Sequence, residues 1–413
     1  MAVESVETLV IGGGQAGLAM SAHLAKAGRP HLVVERARIA ERWRTERWDS
    51  LVANGPAWHD RFPDATFADI DPDSFAGKDR IVRYFEEFAA QIAAPIRCGV
   101  EVTSLTRGAG GAGFRAVTQD GVIEARNVVV ATGPFQKPVF PAMIPESAGV
   151  MQIHSNHYRN PGQLPEGAVL VIGAGSSGSQ IADELLRSGR EVWLSVGPHD
   201  RPPRAYRGRD FVWWLGALGK WDARAQTPGM EHVTIAVSGA QGGHTVDFRD
   251  LGNRGMRLVG RTAGFAEGRL SFAPDLAETI ARGDANYLSV LDEADAHVAR
   301  ERLDLPEEPE ARVMQPMPAC VTEPVLSLDL KAAGISAVIW ATGYQLDFGW
   351  IGFDIFDAQG RPRHQQGITE VPGLCFLGLP WLTRRASPFI WGVWHDAAHL
   401  AAHLEARLAA ETV

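Results

Sequence analysis

Two short glycine clusters carry the chemistry that can be read from this chain. Gly12-Gly13-Gly14-Gln15-Ala16-Gly17 and Gly173-Ala174-Gly175-Ser176-Ser177-Gly178 each hold the Gly-x-Gly-x-x-Gly spacing. In that spacing the first glycine makes a sharp turn and the second lets backbone approach a pyrophosphate. The third allows a helix to pack closely on a strand. A helix opening there aims N–H groups and the positive end of its dipole at phosphate. The sequence therefore carries two dinucleotide sites.

The elements needed to hold them are also legible. Val6–Ile11 is a short apolar strand, Gln15–Ala27 has helical composition, and His31–Glu35 is a second strand. The same order returns as Ala168–Ile172, Ser179–Ser188 and Glu191–Val196. Both are βαβ units, so the expected fold class is α/β with two Rossmann-like dinucleotide-binding domains, one inserted in the other. The expected boundaries are 1–150 for the first part of the FAD domain and 151–330 for the NAD(P) domain. Residues 331–413 are the return to the FAD domain, with a closing helix at His395–Ala410. Further helices are expected at Asp275–Arg282 and Tyr287–Arg302.

Glu35 ends its strand 23 residues after Gly12, where a carboxylate accepts hydrogen bonds from a ribose. In the second unit the equivalent position is assigned to Ser195, allowing for a helix one residue shorter. A carboxylate there would repel a ribose 2′-phosphate, whereas Ser195 with Arg201, Arg204 and Arg207 downstream could accept one. NADPH is the expected donor, with NADH as the alternative, and Asp200 and Asp210 are available to neutralise the arginines.

Composition narrows the class of partner. The 413 residues carry a formal charge of −9 with no block of basic residues, which disfavours nucleic acid. No run of about eighteen apolar residues suggests a membrane span, and acidic Glu4 and Glu7 stand where a signal peptide would be basic. A cytoplasmic location is expected. Cys98, Cys320 and Cys375 form no Cys-x-x-Cys pair, and each reads as a small buried hydrophobe. No metal site is expected, since His395 and His399 lack a sensible third ligand.

These motifs resemble those of the class B flavin monooxygenases, the flavin-containing, N-hydroxylating and Baeyer–Villiger enzymes, and in particular their short bacterial branch. Ala131-Thr132-Gly133 and Ala341-Thr342-Gly343-Tyr344 are similar to the two Ala-Thr-Gly linkers of that group. The stretch Arg42-Trp43-Arg44 through Trp48-Asp49-Ser50-Leu51 resembles its flavin-contacting loop. Val52-Ala53-Asn54 before Phe62-Pro63 resembles a segment in which an Asn precedes Asp-Phe-Pro, although Arg61 separates Asp60 from Phe62. The group's Phe-x-Gly-x-x-x-His motif is degraded, since Gly149 lies five residues before His154 and no Phe heads it; Ser155 and Tyr158 resemble its end.

The resemblance implies that NAD(P)H reduces FAD and that reduced flavin meets dioxygen. A C4a-(hydro)peroxyflavin then oxygenates a small organic substrate. Asn54 would be the catalytic side chain, a neutral donor toward the flavin and its bound oxygen. Arg36, Val102 and Thr342 join the implied cofactor contacts. Trp58, His59, Trp213, Trp391 and Trp394 are the candidates for an apolar substrate cavity. The competing reading is a flavoprotein reductase that passes electrons to a ferredoxin-like or small acceptor; homo-oligomer formation is left open.

Overall fold

The computed structural model describes residues 3–224 and 235–410. Its core is two sheets, the first mixed and the second parallel, each built around one glycine cluster. The first runs Ile96–Cys98, His31–Glu35, Val3–Ile11, Val122–Val130, Phe114–Thr118, Val102–Arg107 in spatial order. Val122–Val130 forks: its first half pairs antiparallel with Phe114–Val117, and Val128–Val130 pairs parallel with Leu374–Phe376. The second sheet is parallel throughout, in the order Arg257–Val259, Val192–Ser195, Ala168–Ile172, Ile335–Trp340, Met151–His154.

Strands buried on both faces are continuously apolar because helices cover both sides. Leu9, Val10, Val33, Val128 and Val129 are fully buried in the first sheet, as are Val169, Leu170, Val171 and Leu194 in the second. The helices Gln15–Lys26 and Ser176–Arg187 follow the two central strands. The closing helix is Ile390–Ala410, five residues longer at its start than expected, and it packs on Gln15–Lys26.

Three expectations change. Ile335–Trp340 pairs with Ala168–Ile172 and Met151–His154, so the second unit continues past the expected boundary at residue 330. The return to the first sheet is made by Leu374–Phe376. The two helices expected at Asp275–Arg282 and Tyr287–Arg302 are one helix, Leu276–Glu301. Gly283 does not break it; a side chain there would collide with the ring of His199, so the glycine serves close approach. Cys375 and Cys320 are at least partly covered, whereas Cys98 is exposed.

The two glycine turns repeat each other atom for atom in their tightest contacts. A methyl group on Gly17 would overlap the Gly12 carbonyl oxygen, and one on Gly178 would overlap that of Gly173. Gly12 and Gly173 have φ of 119° and 106°, conformations that disfavour any side chain. Gly178→Ala should therefore force helix and strand apart at a cost of about 1–3 kcal/mol or more. Thermal denaturation should show a lower Tm, while FAD content, which depends on the first unit, stays near one per chain. Unchanged Tm would refute the close-packing assignment.

Candidate active site

The first cradle fits an adenosine pyrophosphate. A side chain on Gly14 would meet no protein atom within 4 Å, so the turn is open on the side that a phosphate would approach. Gly14 caps the Gln15–Lys26 helix without a side-chain hydrogen bond, which leaves first-turn N–H groups for an anion. Glu35 accepts from the Gly13 N–H at 2.7 Å and the Ala37 N–H at 3.0 Å, which fixes its carboxylate at the strand end. Ala16 is buried, and Gln15 donates to the Pro388 carbonyl at 2.6 Å, tying this helix start to the segment before the closing helix. That segment is held from beneath by Asp396, which accepts from Thr383; burial pushes the Asp396 carboxyl up.

The other expected contacts of the first unit are arranged around this turn. Ala131 follows the strand beside Gly12, and Gln136 donates to both Thr132 Oγ1 (3.1 Å) and the Gly133 carbonyl (2.8 Å). Val102 is buried at the start of its strand, and Arg36 is exposed. Arg42 pairs with Glu46 at 2.5 Å and also donates to the Gln136 carbonyl. Trp43 packs against the cores of both units, and Trp48 is buried in that of the second.

From Trp48 the chain runs along the second unit's Ser176–Arg187 helix. Ser50 donates to Glu184, and Asn54 Oδ1 accepts from Gln180 at 2.9 Å. Tyr158 donates to the other Glu184 oxygen at 2.7 Å; burial and that carboxylate push its hydroxyl far above the ordinary range. The Asn54 carbonyl accepts from Arg204 at 2.7 Å. Asn54 is thus fixed where the two units meet, with both its Oδ1 and its carbonyl engaged by the second unit. Neither Gln180 nor Glu184 stands out in the sequence, because the i, i+4 spacing that aligns them on one helix face carries no motif.

The second cradle repeats the first with a constant offset of 161 residues. Ile11 pairs with Val34, and Ile172 with Ser195; the Gly12 N–H donates to Val34, and that of Gly173 to Ser195. The two helices have the same length, twelve residues. The counterpart of Glu35 is therefore Val196, and the one-residue-shorter helix that made it Ser195 is incorrect. Ser195 is buried and donates to the Gly260 carbonyl at 2.9 Å. The absence of a carboxylate at the ribose position survives this correction.

The arginines expected beside it are also otherwise engaged. Arg201 is 2% exposed, pairs with Asp284 at 2.8 Å and lies over the Tyr287 ring. Arg204 pairs with Asp210 at 2.5 Å, and Arg207 with Asp295 at 2.6 Å. All three side chains are largely buried in these ion pairs, which turns them away from an incoming phosphate. A cation the sequence reading missed stands closer: Arg261, exposed, with its stem against Gly197 and its guanidinium on Asp275 at 2.6 Å. Ser176 donates to the Ile235 carbonyl, and Ser177 is exposed on the first helical turn. Thr342 donates to the Val139 carbonyl at 2.5 Å, and Gly343 has φ of 80°.

The five expected substrate residues divide into three places. Trp58, His59 and Trp391 gather around Trp221, which the sequence reading missed. Trp213 packs instead with Trp214 near the Leu276–Glu301 helix, and Trp394 lies in the first core against Phe62 and His23. Aromatic content alone does not say which rings share a cluster.

Comparison with known proteins agrees with this geometry. A family model described as pyridine nucleotide-disulphide oxidoreductase matches residues 9–207. A CzcO-like oxidoreductase of Geobacillus kaustophilus is 33% identical, over 96% of this chain and 97% of that protein. The chain belongs to the CzcO-like family of flavin-dependent oxidoreductases. FAD and a nicotinamide dinucleotide are its cofactors. Indole-3-pyruvate monooxygenase YUCCA1 of Oryza sativa is 31% identical, over 46% of this chain and 47% of that protein. The fold is shared with a flavin-containing monooxygenase from Stenotrophomonas maltophilia (TM-score 0.67, 21% identity, 98% of this chain and 99% of that one). Among the described residues no helix is long and apolar enough to cross a membrane.

His154 ends the Met151–His154 strand of the second sheet, and its Nε2 donates at 3.1 Å to the Gly343 carbonyl, just beyond the neighbouring Ile335–Trp340 strand. Burial holds its imidazole below the ordinary histidine range, and the same is true of buried His199. The unfolded chain therefore binds protons that the folded chain does not, from about pH 6.5 downward. Stability should be fully present above that pH and fall as pH drops toward the folded-state values. Each such histidine contributes up to about 1.4 kcal/mol per pH unit within that window. Tm measured from pH 7.5 to 5 should decline more gently in His199→Gln than in the unaltered protein; equal slopes would contradict the assignment.

Proposed function

We propose that this protein is an NADPH-dependent flavin monooxygenase acting on a small organic substrate, with Asn54 as the side chain that faces the reacting oxygen. The observation that carries the proposal is the placement of Asn54, held by Gln180 and Arg204 at the junction of two complete nucleotide cradles. Bound FAD would supply the redox and oxygen chemistry, as it does in the monooxygenases with which the chain shares its fold.

The chain's own contributions are positional. The Gly12–Gly17 turn and Glu35 would hold the FAD adenosine and pyrophosphate, and the Gly173–Gly178 turn would present the nicotinamide nucleotide from the facing unit. The Trp48–Asn54 segment, bonded along the Ser176–Arg187 helix, would fix how the two units face each other. Asn54 offers a neutral donor that can stabilise a developing negative oxygen without giving it a proton. The absence of Cys-x-x-Cys disfavours a dithiol reductase; a reductase for another acceptor is the reading that the oxygen reaction decides.

Mixing the chemically reduced protein with oxygen in a stopped-flow spectrometer tests the oxygenase reading. A transient absorbing species between the reduced and oxidised flavin spectra is expected. Direct, single-step reoxidation would favour the reductase.

Asn54→Ala should leave flavin reduction by NADPH within about twofold while diverting most consumed oxygen into hydrogen peroxide. Loss of one such donor is worth roughly 1–3 kcal/mol, or about tenfold or more in lifetime. Peroxide yield equal to that of the unaltered protein would leave Asn54 a turn residue only.

NADPH preference would rest on Arg261. By sheet register its equivalent is Gly99, since Val33 pairs with Ile96 and Leu194 with Leu258; the next residue, Val100, donates its N–H to the Glu35 carbonyl. Arg261→Ala should raise the KM for NADPH about tenfold while leaving that for NADH unchanged. An equal effect on both donors would count against a 2′-phosphate contact.

A further inference from the structure

His59 holds a buried polar atom that its own chain does not satisfy. The residue is 6% exposed; its Nδ1 is bonded to Asp60 Oδ1 at 2.8 Å, and its Nε2 is buried with no hydrogen-bond partner. Such atoms are few in folded proteins, because an unpaired buried group forfeits its hydration. They point to a partner supplied from outside the chain.

The surroundings say what that partner must tolerate. The His59 ring stacks on Trp221 with centroids 5.0 Å apart and an angle of 18°. Trp391 lies 6.0 Å away, and Trp58 meets the imidazole edge-on at 5.7 Å. Flat apolar rings therefore surround the imidazole that carries this single polar atom. Asp60 fixes that atom's character: a carboxylate at Nδ1 keeps the proton there and leaves Nε2 an acceptor.

The same carboxylate couples this cluster to the Asn54 turn. Asp60 Oδ2 accepts from the Gly55 N–H at 2.9 Å, directly after Asn54. One side chain thus sets both the oxygen-facing amide and the imidazole. Of the three other unpartnered imidazole nitrogens, His199 Nε2 abuts Gly283 in the second unit, His23 lies tilted on Trp394 in the first core, and His395 meets Trp391 edge-on from the closing helix; none is bonded to Asp60.

We propose that His59 is a specificity-determining residue that accepts a hydrogen bond from the substrate, in a clamp formed by Trp58, Trp221 and Trp391. The substrate class is a planar aromatic compound bearing a hydroxyl or N–H donor. Asp60 is the positioning residue for this acceptor. The proposal rests on the oxygenase reading but concerns binding, so its test requires no turnover.

Equilibrium binding of 4-nitrophenol and 4-nitroanisole to the oxidised, FAD-loaded protein without NADPH provides that test. The phenol should bind at least tenfold more tightly than its methyl ether, which has no donor. His59→Phe should retain ether affinity and bring the phenol down to it; Asp60→Asn should reduce the phenol preference in part. Equal affinity for the two probes in the unaltered protein overturns the proposal without recourse to any variant. A phenol preference that survives in His59→Phe with FAD bound also overturns it. Because oxygen transfer plays no part, a protein that proves to be a reductase could still pass or fail on its own terms.

Discussion

Two contacts between a helix and a carbonyl oxygen govern this molecule. At Gly17 and Gly178 the helix comes so close to the preceding turn that a single methyl group would occupy the space of the Gly12 or Gly173 oxygen. That closeness brings each helix N-terminus to the end of its sheet, where strand carbonyls, N–H groups and a ribose-level residue converge on one ligand. The requirement is met twice with a constant spacing. The second unit thus inherits the register of the first down to the hydrogen bonds that Gly12 and Gly173 make to their neighbouring strands. Within the strand–turn–helix–strand core the two units then differ in chemistry at a matched position: Glu35 in one, Val196 in the other.

What joins the units is less regular and decides more about function. The Trp48–Asn54 segment belongs to the first unit but packs along the second unit's helix, with Ser50 on Glu184 and Asn54 on Gln180. Arg204, buried and paired with Asp210, braces the same segment by donating to the Asn54 carbonyl. A buried cation of this kind is costly to desolvate and becomes tolerable only with several partners, so removing any one of them exposes the full penalty. Arg204 thus braces the contact between the units, whereas Arg201 and Arg207 pair with Asp284 and Asp295 on the Leu276–Glu301 helix.

The glycine turns, the strands His31–Glu35 and Ala168–Ile172, and the two-unit organisation were legible because local sequence determines them. A tight turn needs glycine, and a doubly covered strand needs an apolar run. Register was less legible. Allowing the second helix to be one residue shorter moved the ribose position from Val196 to Ser195, whereas the two helices are equal in length. The fate of Arg201 was not readable at all: its partner Asp284 lies on a helix far along the chain, and charge near a motif says nothing of distant carboxylates. Trp391 and Trp394 differ by three positions yet enter different clusters, one with His59 and one with Phe62. Trp221, central to the aromatic group, carried no motif. Gly283 looked like a helix stop because close approach to His199 cannot be seen without the fold.

The central claim is that the two cradles hold different dinucleotides and that a hydride passes from one to the other. Anaerobic titration of the purified protein with NADPH, followed by visible absorbance, tests this directly. The account predicts a yellow protein whose flavin band bleaches to completion with one equivalent of NADPH per FAD. A protein that binds FAD but is bleached only by dithionite, with neither NADPH nor NADH reducing it, would contradict the account.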